Sequence, residues 1–352
     1  MISVNFAVIK ILSLTSLAFI IAMLWTPALT HFLYKYRLGK SIRSGGDTPV
    51  FSKMHQKKSG TPTMGGVLIW VTVFVLALAF FWISKLWPES FLAQFNFLTR
   101  PETYLPLGAL VASALVGLLD DWFNVNRQGG GKGGGLMVRH RLLIYTLIAL
   151  FGAWWFYFKL DWDVVRVPFL GLFELGWWFI PFFVFVIVAT AFSVNEADGL
   201  DGLAGGVVLA AFASYGTIAF MQSNYNLAAF CGVIIGGLLA FLWFNINPAR
   251  FFMGDTGAMS LGVALGIVAM LTGYPLLLPI IGFILLIESL SVIIQVLSKK
   301  IRKKKVFLSA PIHHHLEAKG WSEPKIVMRF WVVAGVTAVM GLIIAIIDLA
   351  LW

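Results

Sequence analysis

Apolar runs of about 17 to 23 residues, each closed by a short polar cluster, recur ten times along the chain, and runs of that length cross roughly 30 Å of hydrocarbon as helix. They fall near 6–28, 65–84, 104–119, 142–160, 175–194, 204–221, 227–244, 258–273, 276–297 and 328–351. The pattern predicts an all-α, polytopic membrane protein with about ten transmembrane helices. The first run has Lys10 near its start but no small-x-small cleavage site, and it continues into Trp25-Thr-Pro-Ala. It therefore reads as a retained span rather than a signal peptide.

Charge sets an orientation on these spans. Numbering the connections alternately puts twenty Lys and Arg in one set, including Lys35, Lys40, Arg43, Lys53, Lys57, Lys132, Arg250 and the run Lys299–Lys305. The other set holds only Lys85, Arg100, Lys159 and Arg166. Because cytoplasmic loops carry the basic excess, the first set is expected to face the cytoplasm and both termini the periplasm. Trp87, Trp162, Trp177 and Trp178 then mark the opposite headgroup level. With 59% hydrophobic and 12% charged residues, the 352-residue chain is no soluble globule. Its net charge of +10 reports topology and contact with anionic membrane lipids, not nucleic acid. A lone cysteine, Cys231, excludes an internal disulfide. Residues 1–352 read as one integral-membrane domain, since the longest cytoplasmic connections, near 29–64 and 298–327, are too short for a core of their own.

Every unusual polar cluster lands on the basic side, in loops near 29–64, 120–141, 195–203, 245–257 and 298–327. The most unusual is Asn195 to Gly206, which places Glu196, Asp198, Asp201 and four glycines between two apolar runs. Ionised carboxylates at a span end need water, a cation or a donor. Asp120-Asp121 and Asp255 add carboxylates on the same side. An oxygen-rich ligand set of this kind suits Mg²⁺, held by one or two carboxylates plus substrate phosphates. Lys57, Lys58 and the Lys299–Lys305 run can screen a polyanion, although the run also serves as an anchor on anionic lipid. Gly129–Gly135 is not a Walker A loop, because no Ser or Thr follows Lys132; it reads as a flexible linker. His313-His314-His315 offers donors to phosphate or a proton carrier. Phe251 and Phe252 are either a stacking surface for a base or ordinary interfacial aromatics.

In chain order, Asp120-Asp121, Asn195-x-x-Asp198-Gly-x-Asp201-Gly-Leu, Asn245 through Phe252-Met-Gly-Asp255-Thr-Gly, and Pro311-Ile-His313-His314-His315 closely resemble the polyprenyl-phosphate N-acetylhexosamine-1-phosphate transferase superfamily. Within it, the Gly-Trp-Ser-Glu-Pro tail after the histidines and the segment Gly60-Thr-Pro-Thr-Met-Gly-Gly66 resemble the phospho-N-acetylmuramoyl-pentapeptide transferases. The resemblance implies ten spans with both termini outside, a homodimer, and a place in the bacterial cytoplasmic membrane. It also implies Mg²⁺-dependent transfer of phospho-N-acetylmuramoyl-pentapeptide from the donor UDP-MurNAc-pentapeptide to undecaprenyl phosphate, giving lipid I and uridine monophosphate.

By the same resemblance, Asp120, Asp121, Asp255 and His313 form the catalytic set. Asp255 is the metal ligand, with Asp120 and Asp121 as further candidates, and Asp120 is the base for the lipid phosphate. Phe252 is similar to the uracil-stacking residue, and Lys58, Asn245, Gly199, Leu200 and Asp201 to the nucleoside pocket, with Thr63 beside it. Asn195, Asp198, His313 and His314 are expected along the diphosphate and sugar, with His315 also substrate-binding. Two positions depart from the family pattern: Asn124 and Arg141 stand where lysines are common, which puts basic help from the 120–141 loop in doubt.

Direct phosphoryl transfer competes with an aspartyl-phosphate intermediate on one Asp of the pair. A transporter is the non-enzyme alternative, although its acids would be expected at the bilayer midplane rather than at span ends. A sister transferase using an N-acetylglucosamine donor is the nearer alternative.

Overall fold

A computed structural model describes residues 4–39, 58, 60–128, 130 and 134–351. Lys40, Arg43, Lys53, Lys57, Lys132 and most of the 129–135 glycine run lie outside the described residues.

The ten apolar runs correspond in order to helices α1 (Val4–Lys35), α2 (Val67–Leu86), α3 (Pro101–Val125), α4 (Val138–Lys159), α5 (Phe179–Ala197), α6 (Leu203–Met221), α7 (Tyr225–Asn245), α8 (Gly254–Leu271), a broken pair ending in α9 (Phe283–Ile301), and α11 (Glu323–Leu351). Between the last two lies a short helix, α10 (Ile312–Ala318). Among the described residues nine helices are long and apolar enough to span a bilayer, or ten if the broken pair counts as one.

The ninth run is not one straight helix as its hydropathy suggests: Pro275–Ile281 and α9 meet at 86°. Pro275, Pro279 and Gly282 cluster at the break, where prolines remove backbone donors and glycine relaxes the chain. Turned aside in this way, α9 becomes two-faced. Glu288, Ser289, Ser291, Gln295 and Ser298 are buried, while Leu290, Ile293, Ile294, Val296, Leu297 and Ile301 are exposed.

α8 is the axis of the bundle, and all of its residues are buried. It packs against α3 and α5, while α7 packs against α1 and α6, α6 against α11, and α4 against α5. Small side chains on α8, such as Gly262 against Ala191, let helices approach closely where lipid supplies no hydrophobic drive.

The end of the bundle away from the polar loops is tied down by buried charge. A hairpin of β1 (Val164–Val167) and β2 (Gly171–Glu174) pairs antiparallel with Val164 opposite Glu174, a feature that the apolar pattern did not predict. Asp348 of α11 accepts from Tyr274 Oη at 2.7 Å and from the Phe169 backbone N–H at 2.6 Å, and lies 3.2 Å from the Arg166 guanidinium. Burial is the main cause that pushes the Tyr274 phenol up to about 12, so it stays a donor. Lys10 of α1 donates to the Asn96 carbonyl at 2.7 Å and to Asn226 Oδ1 at 2.9 Å. Trp87, Trp177 and Trp178 are exposed at this end, whereas Trp162 donates its indole N–H to the Val164 carbonyl at 3.0 Å.

Candidate active site

The opposite end gathers the C-termini of α3, α5 and α7 with the N-termini of α4, α8 and α11. Arg141, in the first turn of α4, is the centre of the acidic cluster. Its Nη2 donates to Asp255 Oδ2 at 2.9 Å and its Nη1 to Asn195 Oδ1 at 3.1 Å. Its Nε lies 2.7 Å from Asp120 Oδ2 as an ion pair without hydrogen-bond alignment. Asn195 closes the ring by donating to Asp255 Oδ1 at 2.6 Å. The other oxygen of Asp120 accepts the Leu136 backbone N–H at 2.5 Å, fastening the chain just ahead of α4 to the acid pair. Arg141 thus places a cation against both Asp120 and Asp255.

Neighbouring residues on a helix diverge by about 100°, and the two acids are used differently. Asp121 Oδ1 accepts the Asp255 backbone N–H and Oδ2 that of Thr256, both at 3.1 Å. This carboxylate closes the N-terminus of α8, where unpaired N–H groups favour an anion. Thr63, fully buried, donates its hydroxyl to Asp121 at 3.1 Å, so it supports the acid pair directly. Gly254, with φ of +74°, makes the approach possible, since a side chain there would run into Asp121 and Thr63.

One turn beyond Asn195, the chain leaves α5 at Asp198 and passes over a histidine. Gly199 lies against the His313 ring, where a Cβ would collide with Nε2. His313 Nδ1 is 2.8 Å from Glu288 Oε2, and both residues are fully buried. Burial lowers the imidazole's pKa, but the carboxylates around it, Glu288 foremost with Glu317 and Glu196, together leave the group above its ordinary value. His314 pairs with Glu317 at 2.6 Å. His315 instead accepts the Leu308 backbone N–H at 3.1 Å. It steadies the preceding loop, and desolvation with nearby Lys319 lowers its pKa.

Leu200 is buried and leads to a third cluster. Lys58 Nζ donates to Asp201 Oδ1 at 2.6 Å and to Glu323 Oε1 at 2.5 Å, and lies 5.7 Å from the centre of the Phe252 ring. Asn247 bridges Asp201 and Glu323 at 3.0 and 3.2 Å. Asn245 is a latch, accepting the Gly202 backbone N–H at 2.9 Å and donating to the Phe251 carbonyl at 2.8 Å. The two phenylalanines part company. Phe251 is buried against Phe241 and Phe244, while Phe252 stays at the cluster with Lys58.

Residues 195–202 therefore thread all three groups, and Asp120, Asp255 and His313, far apart in the chain, gather around one short segment. Glu288, Glu323 and Asn247 were not foreseen. Glu288 carried a usable signal, an acid inside an apolar run; Glu323 and Asn247 lie inside the Gly-Trp-Ser-Glu-Pro tail and the Asn245–Phe252 stretch, but their types alone gave them no separate role.

The Phospho-N-acetylmuramoyl-pentapeptide-transferase signature 1 matches residues 58–69, which include Lys58 and Thr63. The glycosyl transferase family 4 profile matches 104–273, the stretch from α3 to α8. A phospho-N-acetylmuramoyl-pentapeptide-transferase of Chloroflexus aggregans is 37% identical over 351 residues, covering 96% of this chain and 90% of the relative. The Bacillus subtilis protein of the same name is 38% identical over 330 residues, covering 93% and 95%. The chain belongs to the phospho-N-acetylmuramoyl-pentapeptide transferase family. Family membership puts a transferase's demands on the acidic cluster. Among the described residues no group of three or more His, Cys, Asp or Glu forms a ready-made metal cage. Two carboxylates and an amide converging on one cationic centre nevertheless fit a hard divalent ion that takes its remaining ligands from phosphate and water.

Proposed function

We propose that the protein transfers phospho-N-acetylmuramoyl-pentapeptide from UDP-MurNAc-pentapeptide to undecaprenyl phosphate at the inner face of a bacterial cytoplasmic membrane, releasing uridine monophosphate. The observation that carries this reading is the convergence of Asp120, Asp255, Asn195 and Arg141 beside a histidine and a Lys–aromatic pair, on one segment. Both termini lie outside in this reading, and a homodimer is the expected assembly.

Asp255 would hold Mg²⁺, which would supply charge compensation for the donor's diphosphate. Arg141 is a planar, permanent cation suited to phosphate oxygens. Lys58 and Phe252 recognise the base, one as a donor and the other as an apolar face, with Asp201 and Glu323 fixing the ammonium. Asp120 takes the proton from the lipid phosphate. An oxygen of that phosphate forms a bond to the sugar-proximal phosphorus, and the bond to the bridging oxygen breaks, so uridine monophosphate leaves with the electron pair. Alignment and charge compensation lower the barrier, with no covalent enzyme intermediate. The exposed apolar face of α9 provides a flank along which a polyprenyl tail reaches this site from the bilayer.

Donor competition in detergent tests the assignment. UDP-MurNAc-pentapeptide with undecaprenyl phosphate is expected to yield lipid I and uridine monophosphate, while UDP-N-acetylglucosamine yields neither. Turnover of the second donor at a comparable rate would move the protein to a sister transferase.

A further inference from the structure

The buried Glu288–His313 pair is only half satisfied. Glu288 Oε2 meets His313 Nδ1, yet Glu288 Oε1 and His313 Nε2 are both buried with no hydrogen-bond partner among the described residues. Buried polar atoms are rarely left so. Nε2 is the ring atom that lies against Gly199, between Asn195 of the acidic cluster and Asp201 of the Lys58 cluster. Glu288 belongs to α9, the helix turned aside at Gly282, and the rest of its buried stripe is also spent on positioning. Ser289 meets Ser193 of α5 at 2.5 Å. Gln295 accepts the Val306 and Phe307 backbone N–H groups at 3.0 Å, and Ser298 donates to the Lys304 carbonyl at 2.9 Å. These contacts hold the segment that leads into His313.

We propose that Glu288 is the positioning residue for His313: its carboxylate grips Nδ1–H, so that Nε2 is presented beneath Gly199 to an anionic oxygen of the substrate diphosphate. The role in turnover rests on the transferase reading above, whereas the grip itself does not. With Nδ1 held, the ring cannot flip. A second proton resides on Nε2, where it makes a charge-assisted donor to phosphate. The groups facing the ring are Glu288 from α9, His314 and Glu317 from α10, and Glu196 from α5. Three carboxylates against one further imidazole favour the protonated form. Because α9 also carries the exposed apolar face, the histidine's aim is tied to the seating of that helix in the membrane.

The test uses the full chain in bilayers, labelled with nitrogen-15 at its six histidines, the His313 signal being the one missing from His313→Asn. Above its titration midpoint, wild-type His313 is expected to keep its proton on Nδ1; a proton on Nε2 instead would overturn the proposal without any Glu288 variant. Glu288→Gln, nearly isosteric, is expected to lower the midpoint by about one pH unit and kcat by about tenfold, with donor KM changed by less than about threefold. Glu288→Asp, which keeps the charge, should recover part of both. An unchanged midpoint, an unchanged kcat, or a loss confined to donor KM contradicts the assignment. If His313 titrates as expected and responds to Glu288 while wild type releases no uridine monophosphate, the transferase reading fails and the grip stands.

Discussion

The carboxylate of Asp121 accepts the backbone N–H of Asp255 at 3.1 Å, so one acid of the pair holds the helix that presents Asp255 to Arg141. The two adjacent aspartates therefore differ in kind: Asp120 faces the cation centre, and Asp121 fixes the start of α8. Asp121→Ala should destabilise the protein by about 1–2 kcal/mol, as loss of a helix cap does, and lower turnover at least about tenfold by loosening Asp255. Asp121→Asn keeps an acceptor and should lose less of both. Melting in detergent alongside uridine monophosphate release checks the pair; a stable but inactive Asp121→Ala would instead give this residue a direct chemical role.

Arg141 serves three partners through one planar fork, a geometry that a lysine ammonium cannot reproduce. Arg141→Lys is expected to cost about tenfold in kcat. Arg141→Ala, which leaves Asp120 and Asp255 facing each other uncompensated, should cost about a hundredfold or more. Steady-state kinetics at saturating donor reads both, and an Arg141→Ala enzyme within twofold of wild type would remove the guanidinium from the reaction.

Lys58 is held between Asp201 and Glu323 over the Phe252 ring. Lys58→Met should raise donor KM about tenfold or more, the value of one charged hydrogen bond, with kcat changed less than about threefold. A fall in kcat at unchanged KM would place Lys58 at the reacting phosphates.

The helices were legible because apolar length alone demands them. Nine of the ten runs became single helices long enough to span and the ninth became the broken pair, and the polar clusters that the basic-residue asymmetry grouped together lie at one end. The bend before α9 was not, since hydropathy averages over Pro275, Pro279 and Gly282 without sensing that together they turn the chain. The β1–β2 hairpin escaped for a similar reason: its four-residue strands are shorter than any hydropathy window. At the site, motif spacing picked out acids that the structure brings together, but not the different contacts each makes. Asp120 and Asp121 are indistinguishable as letters, and only the 100° between them on α3 separates cation binding from helix capping. Arg141 looked like a departure, and three-dimensional proximity made it the hub.

Stability should depend on pH through His313. Its folded-state pKa is raised, so the Glu288 pairing contributes fully below the ordinary imidazole value of 6.5 and is lost as pH climbs through the raised value. Melting temperature in detergent is expected to fall across that window in wild type and to fall less in Glu288→Gln. Equal slopes in the two proteins would show that other groups govern the response.

Asp255→Asn provides the sharpest comparison, because the substitution keeps the side chain's shape and its place at the start of α8 while removing the charge that faces Arg141. Wild type and variant, given Mg²⁺, UDP-MurNAc-pentapeptide and undecaprenyl phosphate, are compared by uridine monophosphate release. Convergence of Asp120, Asp255 and Arg141 into one phosphoryl-transfer centre predicts release matched one-for-one by lipid I in wild type, and a loss of at least about a hundredfold in the variant at every Mg²⁺ concentration. An Asp255→Asn protein that turns over at nearly the wild-type rate would contradict it.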